Sequence, residues 1–259
     1  MNWSALEFSI LIPAFLAGLL VTATHVPLGI QVLQRGIVFI DLAIAQIAGL
    51  GIMSADMFGW EPQGWAAQGV AMSAAVAGAI VLTWAEKNWP EVQEATIGVS
   101  FVLAASAAIL LLAGNPHGGE HLKDLLVGQI LWVNLKTLLP VLLIYALILA
   151  LWFGFRERLG RAGFYVLFAC AVTISVQLVG VYLVFAGLII PALATRKFQS
   201  RRLAAAYATS AIGYALGLAL SSLFDLPSGA VIVWTMAVIA VTVYAVRQQS
   251  KRAPGLATR

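Results

Sequence analysis

Charge is what this sequence has least of. Of its 259 residues, 15 are Lys or Arg and 11 are Asp or Glu, so 10% are charged, against about 25% in a soluble domain. Apolar residues make up 61%, where about 45–50% is usual. A soluble fold of this length needs far more polar residues to cover its outside. Soluble globular, disordered and nucleic-acid-binding classes are therefore excluded, despite the net charge of +4. The single cysteine, Cys170, excludes an internal disulfide and a multi-Cys zinc site. No Lys or Arg precedes Arg35, so a cleaved signal peptide with a basic leading region is not expected. No Gly-x-x-x-x-Gly-Lys-Ser/Thr phosphate loop occurs. A strong internal repeat, inverted or direct, and low-complexity segments are also lacking.

What is present is a succession of apolar runs. A crossing helix needs about 20 largely apolar residues. Runs of that order lie near 8–26, 37–57, 66–84, 95–114, 137–155, 164–179, 181–195, 203–222 and 227–246. The sequence predicts an all-α, polytopic membrane helix bundle of eight or nine spans, forming one transmembrane domain over 1–259 with a tail from about 247. The pair 164–179 and 181–195 is too long for one ordinary helix and short for two full spans. Gly180 and Pro191 predict a broken or partly re-entrant element there.

Basic residues in short loops orient the chain. Arg156, Arg158 and Arg161 form one cluster; Arg196, Lys197, Arg201 and Arg202 form another; Arg247, Lys251 and Arg252 follow the last span. These loops, with the Arg35 connection, are expected on the cytoplasmic side. The loop holding Asp56 and Glu61, and that holding Asp225, are expected outside. This pattern favours nine segments, with the C-terminus cytoplasmic and Asn115–Asp124 outside. Trp3, Trp60, Trp65, Trp132 and Trp152 fall near span ends, as an aromatic belt would.

Function has to come from polar residues inside apolar runs. Asp41 lies six residues beyond Arg35, about 9 Å into its span at 1.5 Å per helical residue. An ionisable group at depth lines water, pairs or binds an ion; pairing with Arg35 is the structural alternative. Gln46 sits about 140° round the helix from Asp41, where an amide serves as an interhelical hydrogen-bonding group. His25 ends the first run before Pro27, as a ligand or as a hydrogen-bonded interface histidine. His117, Glu120 and His121 spell H-x-x-E-H, the inverted zincin pattern. Pro116 and two adjacent glycines oppose the helix that such a site needs. A solvated turn, or a weak first stop for ions, remains open there.

Several stretches, in order from about residue 27 to 246, resemble the membrane permeases of ATP-driven importers for zinc, manganese or iron. Pro27-Leu28-Gly29 through Arg35, followed by Asp41, is similar to that family's link between its first two spans. Glu94-Ala95-Thr96-Ile97-Gly98 looks like its acidic-Thr-Ile-Gly start of a later span. Gly180 to Phe185, with Leu188 to Arg196 around Pro191, looks like its most recognisable segment. Asp225-Leu226-Pro227-Ser228-Gly229-Ala230 resembles the start of its final span. Phe155-Arg156-Glu157-Arg158-Leu159-Gly160 looks like its ATPase-docking helix, here compressed against Arg161-Ala162-Gly163. Members of the zinc and manganese type place a histidine four residues after the aspartate; Ala45 stands here, beside Gln46.

The resemblance implies a homodimeric inner-membrane permease without ATPase activity of its own or any permanently bound cofactor. It implies a separate ABC ATPase subunit, a periplasmic metal-binding protein and a passing divalent metal, with Asp41 as a hard oxygen ligand and Gln46 or His25 as lesser candidates. A secondary transporter using Asp41 as a proton relay, or a purely structural membrane subunit, are the competing readings.

Overall fold

The computed structural model describes residues 7–61, 64–112 and 126–252, with the side chains of 156–157 and 248–252 left out. The described residues form nine helices: α1 (Phe8–Arg35), α2 (Ile40–Met57), α3 (Trp65–Asn88), α4 (Gln93–Leu112), α5 (Leu135–Phe155), α6 (Arg158–Val179), α7 (Val181–Ala194), α8 (Arg202–Phe224) and α9 (Ser228–Arg252). Short 3-10 turns stand at Pro90–Val92 and Ile130–Trp132. Eight of the nine helices are long and apolar enough to cross a membrane; α7 has 14 residues, about 21 Å against a hydrocarbon core of about 30 Å. Large exposed apolar residues such as Leu103, Leu110, Leu143 and Trp234 suit a lipid-facing surface.

The chain breaks between α6 and α7 at Gly180, whose φ of 80° and ψ of 161° belong to a region essentially reserved for glycine. Gly128, also at positive φ, lies against it. A Cβ on Gly180 would stand 2.6 Å from the Val127 carbonyl carbon, so two stretches of backbone pack there without side chains between them. Pro191, by contrast, sits inside α7 without breaking it. The expected interruption is thus at Gly180 alone.

Pro27 does not end α1 either. The helix runs eight residues past it to Arg35 and stops at Gly36, whose φ of 74° is left-handed and whose N–H donates to the Val32 carbonyl. A proline has no N–H for the carbonyl four residues earlier, here Ala23. The Tyr207 hydroxyl of α8 donates to that oxygen at 3.0 Å, satisfying it from another helix. Gly29, two residues beyond Pro27, admits the Leu188 carbonyl of α7 where a Cβ would collide. Close helix approach through small residues is the usual means of packing in membranes, and Gly213 and Gly217 of α8 serve α9 in the same way.

Although α1 and α2 are joined by a short turn, they do not lie along one another. α2 packs on α3 and α4, while α1 packs on α7, α8 and the stretch Leu135–Val179 that holds α5 and α6. Helix α6 lies between these groups, and α2 and α6 are the most enclosed of the long helices. Trp60, Trp65 and Trp132 are exposed near helix ends. Trp152 is not a belt residue: it is buried, its ring 5.6 Å from that of Phe164.

Candidate functional site

Asp41 is the second residue of α2. The residues counted as helical rise from Arg35 are used instead by the turn Gly36–Phe39, so Asp41 stands in the first turn of its helix and not 9 Å along it. It is nonetheless 0% exposed, enclosed by packing neighbours, and neither carboxylate oxygen has a hydrogen-bond partner among the described residues. The pairing with Arg35 does not form; that guanidinium lies over the Phe164 ring at 4.3 Å. The helix N-terminus gives the carboxylate a favourable dipole end, which is weak compensation for complete burial. A buried anion without a protein partner is suited to a cation.

The approach to Asp41 is set from α4. The Phe39 N–H, just before α2, donates to a Glu94 carboxylate oxygen at 3.4 Å. This gives Glu94 of the acidic-Thr-Ile-Gly motif a definite contact. Its other oxygen is buried without a partner among the described residues.

His25 is also 0% exposed. It lies in the body of α1, because the helix continues through Pro27. Its Nδ1 is 3.1 Å from the Val21 carbonyl and 3.0 Å from the Thr24 hydroxyl. With the proton on Nδ1 donated to Val21, Nε2 is left as a bare acceptor, buried and without a partner among the described residues. Orientation of one ring nitrogen by a backbone carbonyl is the arrangement found behind metal-ligating histidines.

Gln46 is 4% exposed. Its angular offset from Asp41 does not turn it outward, because α2 is enclosed on most sides. The interhelical bond expected of it is not found among the described residues. Among the described residues no group of three or more His, Cys, Asp or Glu side chains converges to hold a metal ion. His117, Glu120 and His121 lie outside the described residues.

Sequence reasoning missed two further buried polar groups, the Gln177 amide nitrogen of α6 and the Tyr214 hydroxyl of α8, both without a partner among the described residues. Tyr214 fits because Gly18 of α1 leaves room for its ring. Nearby, Thr22 and Ser210 join α1 to α8 at 2.8 Å, and Tyr145 bonds Ser175 between α5 and α6. A polar residue within an apolar run was the available signal for each.

Where α5 passes into α6, residues 156–159 make a single turn between two departures from helix, Phe155 (φ −126°, ψ 17°) at the end of α5 and Gly160 (φ 58°, ψ −154°) within the first turn of α6. Phe155 and Arg158 are exposed, and Leu159 packs towards the core. The Arg156 and Glu157 side chains lie outside the described residues. Asp225 ends α8 in a left-handed conformation, Ser221 bonds the Leu226 carbonyl at 2.6 Å, and Pro227 leads into α9. Gly229 there faces the Val127 carbonyl, 2.8 Å from where its Cβ would be.

The model of the ABC 3 transport family matches residues 7–164 and 153–247. No curated protein matches the sequence. Among solved structures, the fold is similar to a chain of PsaBC from Streptococcus pneumoniae in complex with Fab, at 20% identity over 92% of each chain with a TM-score of 0.74. It is also similar to a chain described as a metal-chelate type ABC transporter in an inward-facing conformation, at 18% identity over 91% of this chain and 84% of that one, with a TM-score of 0.61. At these identities the likeness is one of fold.

Proposed function

The chain belongs to the ABC 3 transport family, and from that membership we propose that it is the membrane-spanning permease of an ATP-driven importer for zinc, manganese or iron. The observation that carries the metal reading is Asp41: a fully buried carboxylate with no partner among the described residues, at the start of an enclosed helix. The description of one similar structure as a metal-chelate type transporter supports a metal-type substrate.

In this reading two copies of the chain assemble with two ATPase subunits in the bacterial inner membrane, and a periplasmic protein delivers the metal. The turn 156–159, flanked by its two helix breaks, meets the ATPase. ATP binding displaces it and rocks the bundle between outward and inward states. Asp41 supplies an oxygen ligand. The free Nε2 of His25 and the amide of Gln46 are the next candidates on the route, in a chain where Ala45 occupies the position of the family's ligating histidine. A sparse set of ligands is compatible with transport, which requires release as well as binding.

Uptake of radiolabelled Zn2+, Mn2+ and Fe2+ by cells with and without the gene tests the proposal. Gene-dependent accumulation of one of them is expected. Equal accumulation of all three in both strains, with the protein present in the membrane, would exclude these metals as cargo.

A further inference from the structure

At the end of the bundle where α1 stops and α6 starts, a cluster of charged and aromatic side chains joins elements that are remote in sequence. Arg35, the last residue of α1, lies 4.3 Å above the ring of Phe164 in α6. Phe164 is fully buried, with the Trp152 and Phe168 rings 5.6 and 5.7 Å away. The next residue, Tyr165, is also buried and accepts a 2.6 Å hydrogen bond from the Gln93 amide of α4. Glu86 of α3 and Arg35 are within electrostatic reach of the same hydroxyl. One turn earlier, Arg161 approaches Glu86 at 3.9 Å.

Two features make the cluster more than packing. It begins directly after Gly160, the second helix break bounding the turn 156–159, so any displacement of that turn is applied to the helix end bearing Arg161, Phe164 and Tyr165. On its far side, Gln93 is followed by Glu94, whose carboxylate receives the Phe39 N–H two residues before Asp41. Arg35 stands at the other end of the same short turn. The start of α6 therefore grips the Gly36–Phe39 turn twice, once through Arg35 and once through α4.

Resting on the transport reading above, we infer that Arg35, Phe164, Tyr165 and Gln93 are positioning residues that transmit movement of the turn 156–159 to Asp41. None of them touches the cargo. Their effect is to make the geometry at the start of α2 follow that of the ATPase-facing turn. A contiguous set of contacts is necessary for such transmission but does not demonstrate it; a double-mutant cycle does.

The test uses the permease assembled with its ATPase subunits in proteoliposomes, with Zn2+, Mn2+ or Fe2+ uptake and ATP hydrolysis measured on the same vesicles. Tyr165→Phe and Gln93→Ala each remove the same hydrogen bond from opposite sides. Each is expected to lower the metal moved per ATP hydrolysed about fivefold, with hydrolysis within about twofold of wild type. The double variant should be no worse than the poorer single variant, because both remove one interaction. Arg35→Lys keeps the charge but loses the flat stacking group, and gives an intermediate ratio even if another variant folds poorly. An unchanged ratio in all the single variants overturns the inference. So does an additive double variant, or uptake and hydrolysis falling in equal proportion, the mark of damaged packing. Wild-type vesicles that take up none of the three metals instead overturn the transport reading, and the relay falls with it.

Discussion

Helix α6 is held by long side chains at one end and by bare backbone at the other. Around Phe164 and Tyr165 the contacts are a guanidinium over a ring, an amide to a phenol and an arginine near a carboxylate. At Val179–Gly180 the neighbour is the backbone of Val127–Gly128, with glycine on both sides of the contact. Side-chain contacts of the first kind can be broken and remade by changes of rotamer. Backbone contacts of the second kind can shift only if both chain segments move. The difference makes the Gly180 end the fixed point of α6 and the Phe164 end the part free to follow a displaced loop. It also places the turn 156–159 and Asp41 near the adaptable end.

The largest expected effect is at the fixed end. Gly180→Ala would force alanine into a glycine-only conformation and drive its Cβ into the backbone of Gly128. A loss of about 3 kcal/mol or more is expected, read as little monodisperse protein after detergent extraction. A variant as abundant and thermally stable as wild type would break the contrast at its stronger side. Next comes the adaptable end, where function should suffer before folding does. Replacing Arg156 and Arg158 by Glu should reduce co-purification of the ATPase severalfold while membrane insertion persists; unchanged co-purification would remove the docking role. The smallest effect is on stability at that same end. Arg35→Gln, which deletes the contact with Phe164, should cost only about 1 kcal/mol, seen as a small fall in thermal midpoint in detergent. A collapse comparable to Gly180→Ala would show the two ends to be equally rigid.

Much of the fold was legible because a membrane span is a long apolar run, and all nine runs correspond to helices. The errors came where another helix alters what the local sequence favours. Pro27 reads as a stop, but Tyr207, 180 residues away, takes the carbonyl it frees, and α1 continues. Trp152 reads as a belt residue until Phe164 is placed beside it. Of the candidate site, the burial of Asp41 could be anticipated from its apolar surroundings. Its place in the first turn could not, because nothing in helical periodicity reveals the turn at Gly36–Phe39. His25 changes from a helix-end residue to a buried one by the same continuation of α1. The cluster of Arg35, Glu86, Gln93 and Tyr165 was invisible, since no two of its four helices are neighbours in a way the sequence alone fixes.

The central claim is that Asp41 meets the transported cation, and Asp41→Asn tests it most directly. Asparagine keeps the size and can both donate and accept hydrogen bonds, but carries no charge. Uptake of the metal that the wild type accumulates should be measured in cells at matched membrane abundance. If Asp41 is a ligand, uptake falls to the level of cells lacking the gene, while the protein still inserts and still co-purifies with its ATPase. Wild-type uptake by Asp41→Asn would contradict the account and move the ion path away from the start of α2.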